Sequence, residues 1–531
     1  MITPQPLVPR PHPRRTRSRS HPTPSFPQLS HPSRRVRALP SRLASGIAVL
    51  VLALLSAFAV PGVSAVAAAP VRTDAEDRLD SLLTALETPH ARAVVVSSVG
   101  IEAQAAGDPP EGDGTAPPAA TRWGSVSKGV TGHLVDTLVE EGRIDLDTEV
   151  GTVLTELTDA TGRLTVRQLL THTSGLPHDL AVTDRDRPSA RAVDVLGELP
   201  APDAAASGFT YASTNYIVLQ ALVERVTGEE FPATVAATGA VSAGSGADEQ
   251  AAGTGSDGRT AGHGCARPAR TGSVPFAGLP VAAPTTCDGA GLGYGYLTGD
   301  LSDLARWAQW NLSPEGAAFH ARSREAAAPT GPDSAYGFGW NYDSVDLDGT
   351  AVERIHHSGA IPGTFTRVEL LPALDRAVVI VVDEYGEPGS ADLARTASSA
   401  ATAVFGSEPP APARSATYPL ALGAVGIAVI GAVSWLGVVL LRPARVPTRA
   451  GGRSSERSAV RTAATRFGIS AVLCAAAAAA MAVVLPATTG LGPAGLARWA
   501  PDLAAGGGLV VVALAAATVV AGLRLARAAR V

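Results

Sequence analysis

Three long apolar stretches near the C-terminus restrict the fold of this chain more than any other feature. They cover residues 418–441, 467–485 and 503–523 and carry almost no charge. Backbone polar groups inside a bilayer must be hydrogen-bonded within their own segment, so stretches of about 20 apolar residues cross it as helices. The alternative is a set of alanine-rich soluble helices. We expect three C-terminal transmembrane helices.

Arginines flank these stretches unevenly. Seven lie in the loop 442–466 and three follow the third stretch, whereas Arg498 alone lies between the second and the third. Because basic loops stay in the cytoplasm, this asymmetry predicts a cytoplasmic loop 442–466 and a cytoplasmic C-terminus. The domain that precedes the first span is then extracellular, and the protein is a multi-pass protein of the cell membrane.

The N-terminus has the composition of an export signal. Residues 1–43 carry nine arginines and no acidic residue, and a short apolar run over 47–60 leads into small residues at 63–67. A basic region, an apolar region and a small-residue cleavage site define a signal peptide. We therefore assign residues 1–68 to a signal peptide with a long basic n-region.

The part of the chain between the two basic ends is acidic. Residues 44–411 hold 22 basic and 46 acidic side chains, a balance that argues against nucleic-acid binding and for a secreted domain. Cys265 and Cys287 lie in this domain, and Cys474 lies in the second apolar stretch. In an oxidising compartment the first two cysteines form either a disulfide or two free thiols.

The chain contains a single lysine, Lys128, among 43 basic residues. Ser125 precedes it by three positions, and the apolar spacing that follows predicts a helix that begins at about Ser125 and ends at Gly142. Residues three apart share a helix face, so the serine hydroxyl and the lysine amine can meet. Lysine, unlike arginine, can lose its proton when it is buried and then act as a base. The alternative is a residual surface lysine.

Two further helices carry polar residues at their starts. Thr165 and Gln168 predict a capping box on a short helix that ends in a turn at 174–177. His172 lies in this region, either as a catalytic group or, as we favour, as a residue that holds the turn. Tyr211 and Ser213 precede an apolar helix over 215–226, where the serine or its neighbour Thr214 could serve only as an N-cap.

The order of the remaining segments predicts the fold class. β-like runs occur at 93–96, 352–356, 364–371 and 377–382, with the helical segments between the first run and the others. This order indicates an α+β fold in which both chain ends build one antiparallel sheet around an inserted helical region. The domain spans 75–405, residues 406–417 form a linker, and the Ala/Gly-rich stretch 233–262 is expected to be a flexible insertion.

Four motifs in this order resemble the serine β-lactamase and penicillin-binding-protein superfamily, and most closely its group of class C β-lactamases, D-alanyl-D-alanine carboxypeptidases and esterases. They are Ser125-Val126-Ser127-Lys128, the stretch LLTHTSGLP at 169–177, Tyr211-Ala212-Ser213 and His357-Ser358-Gly359. The resemblance covers about residues 75–405. It implies the β-lactamase/transpeptidase-like fold and no metal or organic cofactor.

The resemblance also implies a role for each motif. Ser125 would be the acylated nucleophile, and Lys128 its base, alone or together with Tyr211. The backbone N–H groups of Ser125 and Ala360 would form an oxyanion hole. His357 would line the opposite wall, beside Gly359, and help to hold a substrate carboxylate or ester.

Two positions depart from the group's pattern. Ser213 stands where the group carries Asn, and the Pro-Leu-Gly-Met segment that shapes its acyl pocket is replaced by the stretch 233–262. We expect a membrane-anchored, extracytoplasmic serine hydrolase that acts through an acyl-enzyme on D-alanyl peptides of the cell wall, amides, β-lactams or small esters. The alternative is a non-catalytic, penicillin-binding-like sensor ectodomain, which the two departures favour.

Overall fold

The computed structural model describes residues 74–88, 90–107, 120–179, 182–206, 208–239, 264–284, 286–406, 415–441, 465, 468–483 and 491–529. The predicted signal peptide lies outside these residues, as does the predicted cytoplasmic loop apart from residue 465.

One eight-stranded antiparallel sheet forms the centre of the domain, with strand order β2-β1-β12-β11-β10-β9-β8-β7. Its strands are β1 Ala91–Ser97, β2 Gly100–Ala106, β7 Ala328–Gly331, β8 Ser334–Gly337, β9 Trp340–Leu347, β10 Thr350–Ile361, β11 Thr364–Leu371 and β12 Arg376–Val382. The first strand pairs with the last, in a register that sets Ala91 opposite Val382. The predicted α+β fold, with a sheet built from both ends of the domain, is confirmed.

Two small two-stranded sheets accompany the main one. They are β3 Thr121–Arg122 with β6 Thr298–Gly299, and β4 Ser273–Phe276 with β5 Leu279–Ala282. The first joins the segment just before Ser125 to the segment just before the helix Leu301–Leu312.

The helices of the domain are α1 Asp74–Ala85, α2 Ser127–Glu140, α3 Val166–Leu170, α4 Thr214–Thr227, α5 Phe231–Ala237, α6 Leu301–Leu312, α7 Pro314–Ala326 and α8 Ser390–Ala403. Helices α2 to α7 come from the insertion between β2 and β7. The capping box predicted for Thr165 and Gln168 is present at the start of α3.

The two faces of the sheet pack against different helices because side chains alternate along a strand. Val94 and Val96 point to the helical insertion, and their neighbours Ala93 and Val95 point to the layer formed by α1 and α8. Both faces are therefore buried. This explains the continuous apolar run of the first strand.

The expected flexible insertion needs a correction at its start. Residues 233–237 are the last five of helix α5, which is buried through Phe231 and Val235. Pro232, in the first turn of α5, has a backbone angle that suits a helix and therefore signals a helix start. The Ala-rich residues that follow obscured this signal in the sequence. Residues 240–263 lie outside the described part of the chain.

In the described part of the C-terminal region, two helices are long and apolar enough to cross a membrane: α9 Thr417–Leu441, and residues 501–524 of the helix Pro501–Ala529. The expected second span, 467–485, is described as a shorter apolar helix, α10 Gly468–Val483, so among the described residues two helices rather than three have the full length of a span. The helix α11 Pro493–Trp499 precedes the last one, which we call α12.

Helix α11 packs on the domain, a contact that the sequence did not predict. Leu491, Leu496 and Trp499 are buried in the same core as α1 and α8, and the Trp499 ring meets Tyr385 edge to face at 5.9 Å. The domain is therefore attached to the apolar helices through a packed interface as well as through the chain segment 406–417.

Cys265 and Cys287 form a disulfide, with their Cα atoms 5.7 Å apart. It links the segment that begins at residue 264 to the segment that precedes residues 292–296. Cys474 is a free, buried cysteine.

Candidate active site

Ser125 and Lys128 lie at the beginning of the central helix of the insertion. A short 3-10 turn, Gly124–Val126, leads directly into α2, so the two side chains are one turn apart on the same face. The Lys128 Nζ is 2.9 Å from Ser125 Oγ. Lys128 is fully buried, whereas Ser125 is partly exposed. The alternative of a residual surface lysine is therefore excluded.

The surroundings of Lys128 favour a neutral amine. Burial, partly opposed by the charge of Asp184, lowers the pKa of Lys128 from its usual 10.5 to about 7. A neutral amine has two N–H donors and one lone pair. The carbonyl oxygen of Tyr294, at 2.9 Å, and the hydroxyl of Ser213, at 3.2 Å, can take the two donors. The lone pair then faces the Ser125 hydroxyl.

Tyr211 reaches the same serine from the loop before α4. The Ser125 side chain lies close enough to the Tyr211 hydroxyl to favour its ionised form, and the Tyr211 ring centre lies 4.9 Å from Lys128 Nζ. Burial raises the pKa of Tyr211 well above its usual value of 10. At neutral pH the phenol is therefore protonated, and of the two expected bases Lys128 is the one that can hold a free lone pair.

Ser213 does not cap its helix. The structure gives its side chain no capping bond to α4, and the hydroxyl of Thr214 donates instead to the Pro177 carbonyl. The Ser213 hydroxyl lies beside Lys128 Nζ, so its contacts belong to the candidate site. Ser213 thus occupies the N-cap position that the sequence suggested, but its backbone angles are helical and its side chain makes no capping bond, so capping does not account for its hydroxyl.

The backbone around Ser125 is held against β10 by a contact between two glycines. A Cβ on Gly124 would lie 2.3 Å from the Ala360 nitrogen, and a Cβ on Gly359 would lie 2.8 Å from the Ser125 nitrogen and 2.1 Å from the Trp123 carbonyl oxygen. Only residues without a side chain permit this approach. It brings together the two backbone nitrogens expected to form the oxyanion hole.

His357 lies on β10 beside this contact and is uncharged. Its Nδ1 is 2.7 Å from the Ser358 carbonyl oxygen, which can only accept, so Nδ1 carries the proton. Its Nε2 is then the acceptor for the Tyr336 hydroxyl at 3.4 Å. Burial and the nearby Lys128 charge lower the pKa of His357 to about 3. The His357 side chain therefore has no positive charge with which to hold a substrate carboxylate, the role expected for it.

His172 holds the loop that carries Tyr211. It has a positive φ of 55°, and its Nδ1 accepts hydrogen bonds from the Ala212 N–H at 3.2 Å and from the Asn215 amide at 2.7 Å. Its ring lies 4.5 Å from that of Tyr211. This arrangement agrees with the preferred interpretation of His172 as a structural residue.

Sequence reasoning missed two residues of the site. The Tyr294 carbonyl contacts the Lys128 amine, and the Tyr294 hydroxyl accepts a hydrogen bond from the Asp184 N–H at 2.6 Å. Asp184 is buried, accepts from the Tyr296 hydroxyl, and supplies the negative charge that opposes the lowering of the Lys128 pKa. Asp184 lies in a loop and Tyr294 in the short π-helical segment Leu292–Tyr296, and neither segment carries a motif. The only sequence signal was the aromatic cluster GYGY at 293–296.

A family model described as Beta-lactamase matches residues 91–403. The chain belongs to the beta-lactamase family. Members of this family are serine hydrolases, and the matched region contains all four motifs of the candidate site. Penicillin-binding protein 4 of Amycolatopsis lactamdurans is 32% identical to the chain over 164 residues, which are 29% of this chain and 43% of that relative. The match thus spans less than half of the relative's length.

Two solved structures are similar to that of this chain at low sequence identity. The class C beta lactamase from Rhodobacter sphaeroides has 17% identity and a TM-score of 0.47, over 63% of this chain and 99% of that one. The D-stereospecific amidohydrolase from Streptomyces sp. has 18% identity and a TM-score of 0.44, over 59% and 94% of the two chains.

Proposed function

We propose that the protein is an extracytoplasmic, membrane-anchored serine hydrolase that works through an acyl-enzyme on Ser125. One observation carries the proposal: a buried lysine with a lowered pKa lies 2.9 Å from a partly exposed serine hydroxyl at the start of a helix. A serine becomes a good nucleophile only when a base can take its proton as it attacks. Lys128 has the position for that task, and its lowered pKa makes the neutral form available near neutral pH.

Acylation follows from the contacts around Ser125. As Oγ attacks the acyl carbon, its proton passes to Lys128 Nζ, whose two N–H groups are already held by Tyr294 and Ser213. The oxyanion that forms is stabilised by the N–H groups of Ser125 and Ala360. When the bond to the leaving group breaks, Tyr211 donates its phenolic proton to the departing oxygen or nitrogen and regains one from Lys128.

Deacylation repeats these steps with water. The water attacks the Ser125 ester and gives its proton to the Tyr211–Lys128 pair. The oxyanion forms again at the same two N–H groups, and the bond between acyl carbon and Oγ breaks. The proton then returns to Oγ, the carboxylic acid leaves, and the serine hydroxyl is restored.

The neutral state of His357 bears on whether the site prefers charged or uncharged acyl donors. Both ring nitrogens of His357 are occupied, by the Ser358 carbonyl and by the Tyr336 hydroxyl, and the ring is uncharged above a pH of about 4. It offers neither a charge nor a free N–H to a substrate carboxylate. Among the expected donors, we propose that uncharged esters and amides are preferred over D-alanyl peptides and β-lactams that bear a carboxylate.

The membrane location rests on the arginine asymmetry of the sequence and on two helices of sufficient length. The disulfide Cys265–Cys287 supports an oxidising compartment for the domain. We propose that the domain 75–405 lies outside the cell, that α9 and α12 anchor it, and that the apolar stretch 467–485, which contains α10, crosses the membrane back between them.

Two assays on the full-length protein test the proposal. The first is labelling with a fluorescent penicillin or a fluorophosphonate, and the second is turnover of a chromogenic ester. Ser125→Ala is the variant, and Ser127→Ala, two residues away and buried, is the matched control. We expect labelling and turnover in the parent and in the control, and neither in Ser125→Ala. Labelling of the parent without turnover would favour the sensor. Absence of labelling would contradict both functions.

A further inference from the structure

The hairpin formed by β4 and β5, residues 273–282, exposes apolar side chains next to the anchoring helices. Phe276, Leu279 and Val281 are 39%, 69% and 38% exposed. The register pairs Phe276 with Leu279 and Val274 with Val281, so all four lie on one face of the ribbon. Only Val274, at the base, is buried in the domain.

The segment around the hairpin is uncharged. Residues 271–286 contain no acidic or basic side chain, although 17% of the whole chain is charged. All four residues of β5 are exposed. Exposed apolar surface without charges mixed into it is typical of a contact with a partner or a lipid surface, rather than of a solvated loop.

Hydrogen bonds fix the hairpin turn to the start of both anchoring helices. The turn residues Ala277 and Gly278 have positive φ angles of 52° and 82°, as a two-residue hairpin turn requires. The Ala277 N–H donates to the Asp502 carboxylate at 3.0 Å, in the first turn of α12. Tyr418, in the first turn of α9, donates its hydroxyl to the same carboxylate. The turn therefore lies at the level at which both spans begin.

We propose that this hairpin is a lipid-contacting element, in which Phe276 and Leu279 enter the headgroup and upper acyl region of the bilayer that holds α9 and α12. The proposal rests on the membrane location proposed above and not on the roles of the catalytic residues. The occupant is a lipid surface because the turn is hydrogen-bonded, through Asp502 and Tyr418, to the first turns of the two spans, and apolar side chains such as Leu420 are exposed there too. Aromatic and apolar side chains are stabilised when they lie in the boundary between the lipid headgroups and the acyl chains.

The contact also sets the height of the active site above the membrane. At the base of the hairpin, a Cβ on Gly272 would lie 1.7 Å from the Gly363 carbonyl oxygen, so this backbone packs directly on the turn between β10 and β11. Ala360, whose N–H is proposed for the oxyanion hole, is three residues before Gly363. A hairpin seated in lipid would hold the oxyanion end of β10 close to the membrane surface.

Site-specific fluorescence in proteoliposomes tests the contact. Full-length protein with Cys474→Ala receives one cysteine by Leu279→Cys, is labelled with the environment-sensitive dye NBD, and is reconstituted into phosphatidylcholine–phosphatidylglycerol vesicles that contain spin-labelled lipid. Ile427→Cys on α9, where the side chain is 74% exposed, is the control inside the bilayer. Val99→Cys is the aqueous control: it is 90% exposed in the turn between β1 and β2, at the opposite end of the sheet from the hairpin.

We expect spin-labelled lipid to quench the dye at 279 severalfold more than the dye at 99, with the dye at 427 quenched as well. Equal quenching at 279 and 99 would overturn the proposal, and energy transfer between labelled copies with no lipid quenching would assign the face to a second copy instead. An unquenched dye at 427 would overturn it too, because the spans would not be in lipid. A repeat with Ser125→Ala, which removes the proposed activity, should give the same quenching.

Discussion

The Lys128 amine lies 2.9 Å from the backbone carbonyl oxygen of Tyr294, a group that can accept hydrogen bonds but never donate one. One N–H of the amine is thereby directed away from Ser125. Since the Ser213 hydroxyl takes a second N–H, the lone pair of the neutral amine is oriented toward the serine. The predictions below follow from this orientation.

The rate of acylation should follow the fraction of neutral Lys128. Because the pKa of Lys128 is lowered to about 7, the base form is lost as pH falls through that value. We expect the rate to fall about tenfold per pH unit below pH 7 and to level off above it. Asp184 opposes the lowering of the pKa, so Asp184→Asn should shift the inflection to lower pH. An unchanged inflection in that variant, measured as a pH–rate profile with an uncharged ester, would argue against Lys128 as the titrating base.

Ser213→Ala should reduce acylation modestly. The variant removes the acceptor for one Lys128 N–H at 3.2 Å, and a neutral hydrogen bond of this kind contributes about 0.5–1.5 kcal/mol. The expected loss in kcat/KM is about two- to tenfold. Ser213→Asn, which restores an acceptor and the residue found in the resembling group, should retain more activity than Ser213→Ala. The reverse order of the two variants would show that the hydroxyl has another role.

Uncharged donors should be hydrolysed faster than matched donors that bear a carboxylate. The site lacks the charge-assisted hydrogen bond that a cation at 357 would supply, and such bonds contribute about 1.5–3 kcal/mol. A methyl ester and the corresponding free acid of one D-alanyl peptide analogue provide the comparison. Because His357 has a pKa of about 3, the preference should persist from pH 8 down to pH 5. A preference for the acid that increases toward pH 5 would mean that His357 becomes charged.

A protease added to intact cells should degrade the domain 75–405 and spare the loop 442–466, because the arginine asymmetry places them on opposite sides of the membrane. Immunoblots with antibodies to each region give the result. Permeabilised cells, in which both regions should be cut, are the control. Loss of the loop alone in intact cells would reverse the proposed orientation.

The parts of the fold that were predictable depend on local sequence. The Thr165–Gln168 capping box is a contact three residues apart, and Ser125 with Lys128 is one helical turn. Each can be recognised without the rest of the molecule. The pairing of β1 with β12 was accessible only through the order of the segments, because it joins residues nearly 300 positions apart.

The parts that were missed depend on tertiary packing. Asp184 and Tyr294 are in contact although 110 residues separate them, one in a loop and the other in a five-residue π-helical segment, neither of which has a periodic pattern. Serine is a residue type typical of N-caps, but the Ser213 side chain contacts the buried amine of Lys128, 85 residues away in the sequence. Helix α11 buries Trp499 in the domain, although its sequence places it between two apolar stretches. No local rule distinguishes these contacts from ordinary loop or cap positions.

The acylation rate of Lys128→Arg tests the central claim, that Lys128 is the base for Ser125, most directly. Arginine keeps the charge but cannot give up its proton at accessible pH, and its planar group does not fit the space of a buried ammonium. Lys128→Met has a side chain of similar length without a charge, so it removes the base without the steric misfit of arginine. Arg163→Lys, at an exposed position, is the control for an exchange between arginine and lysine outside the site. We predict that both substitutions at 128 slow labelling by ester and penicillin probes by about 10²–10⁴, while Arg163→Lys labels at the parent rate and circular dichroism shows all three folded. A folded Lys128→Arg protein that is acylated at the parent rate would contradict the account.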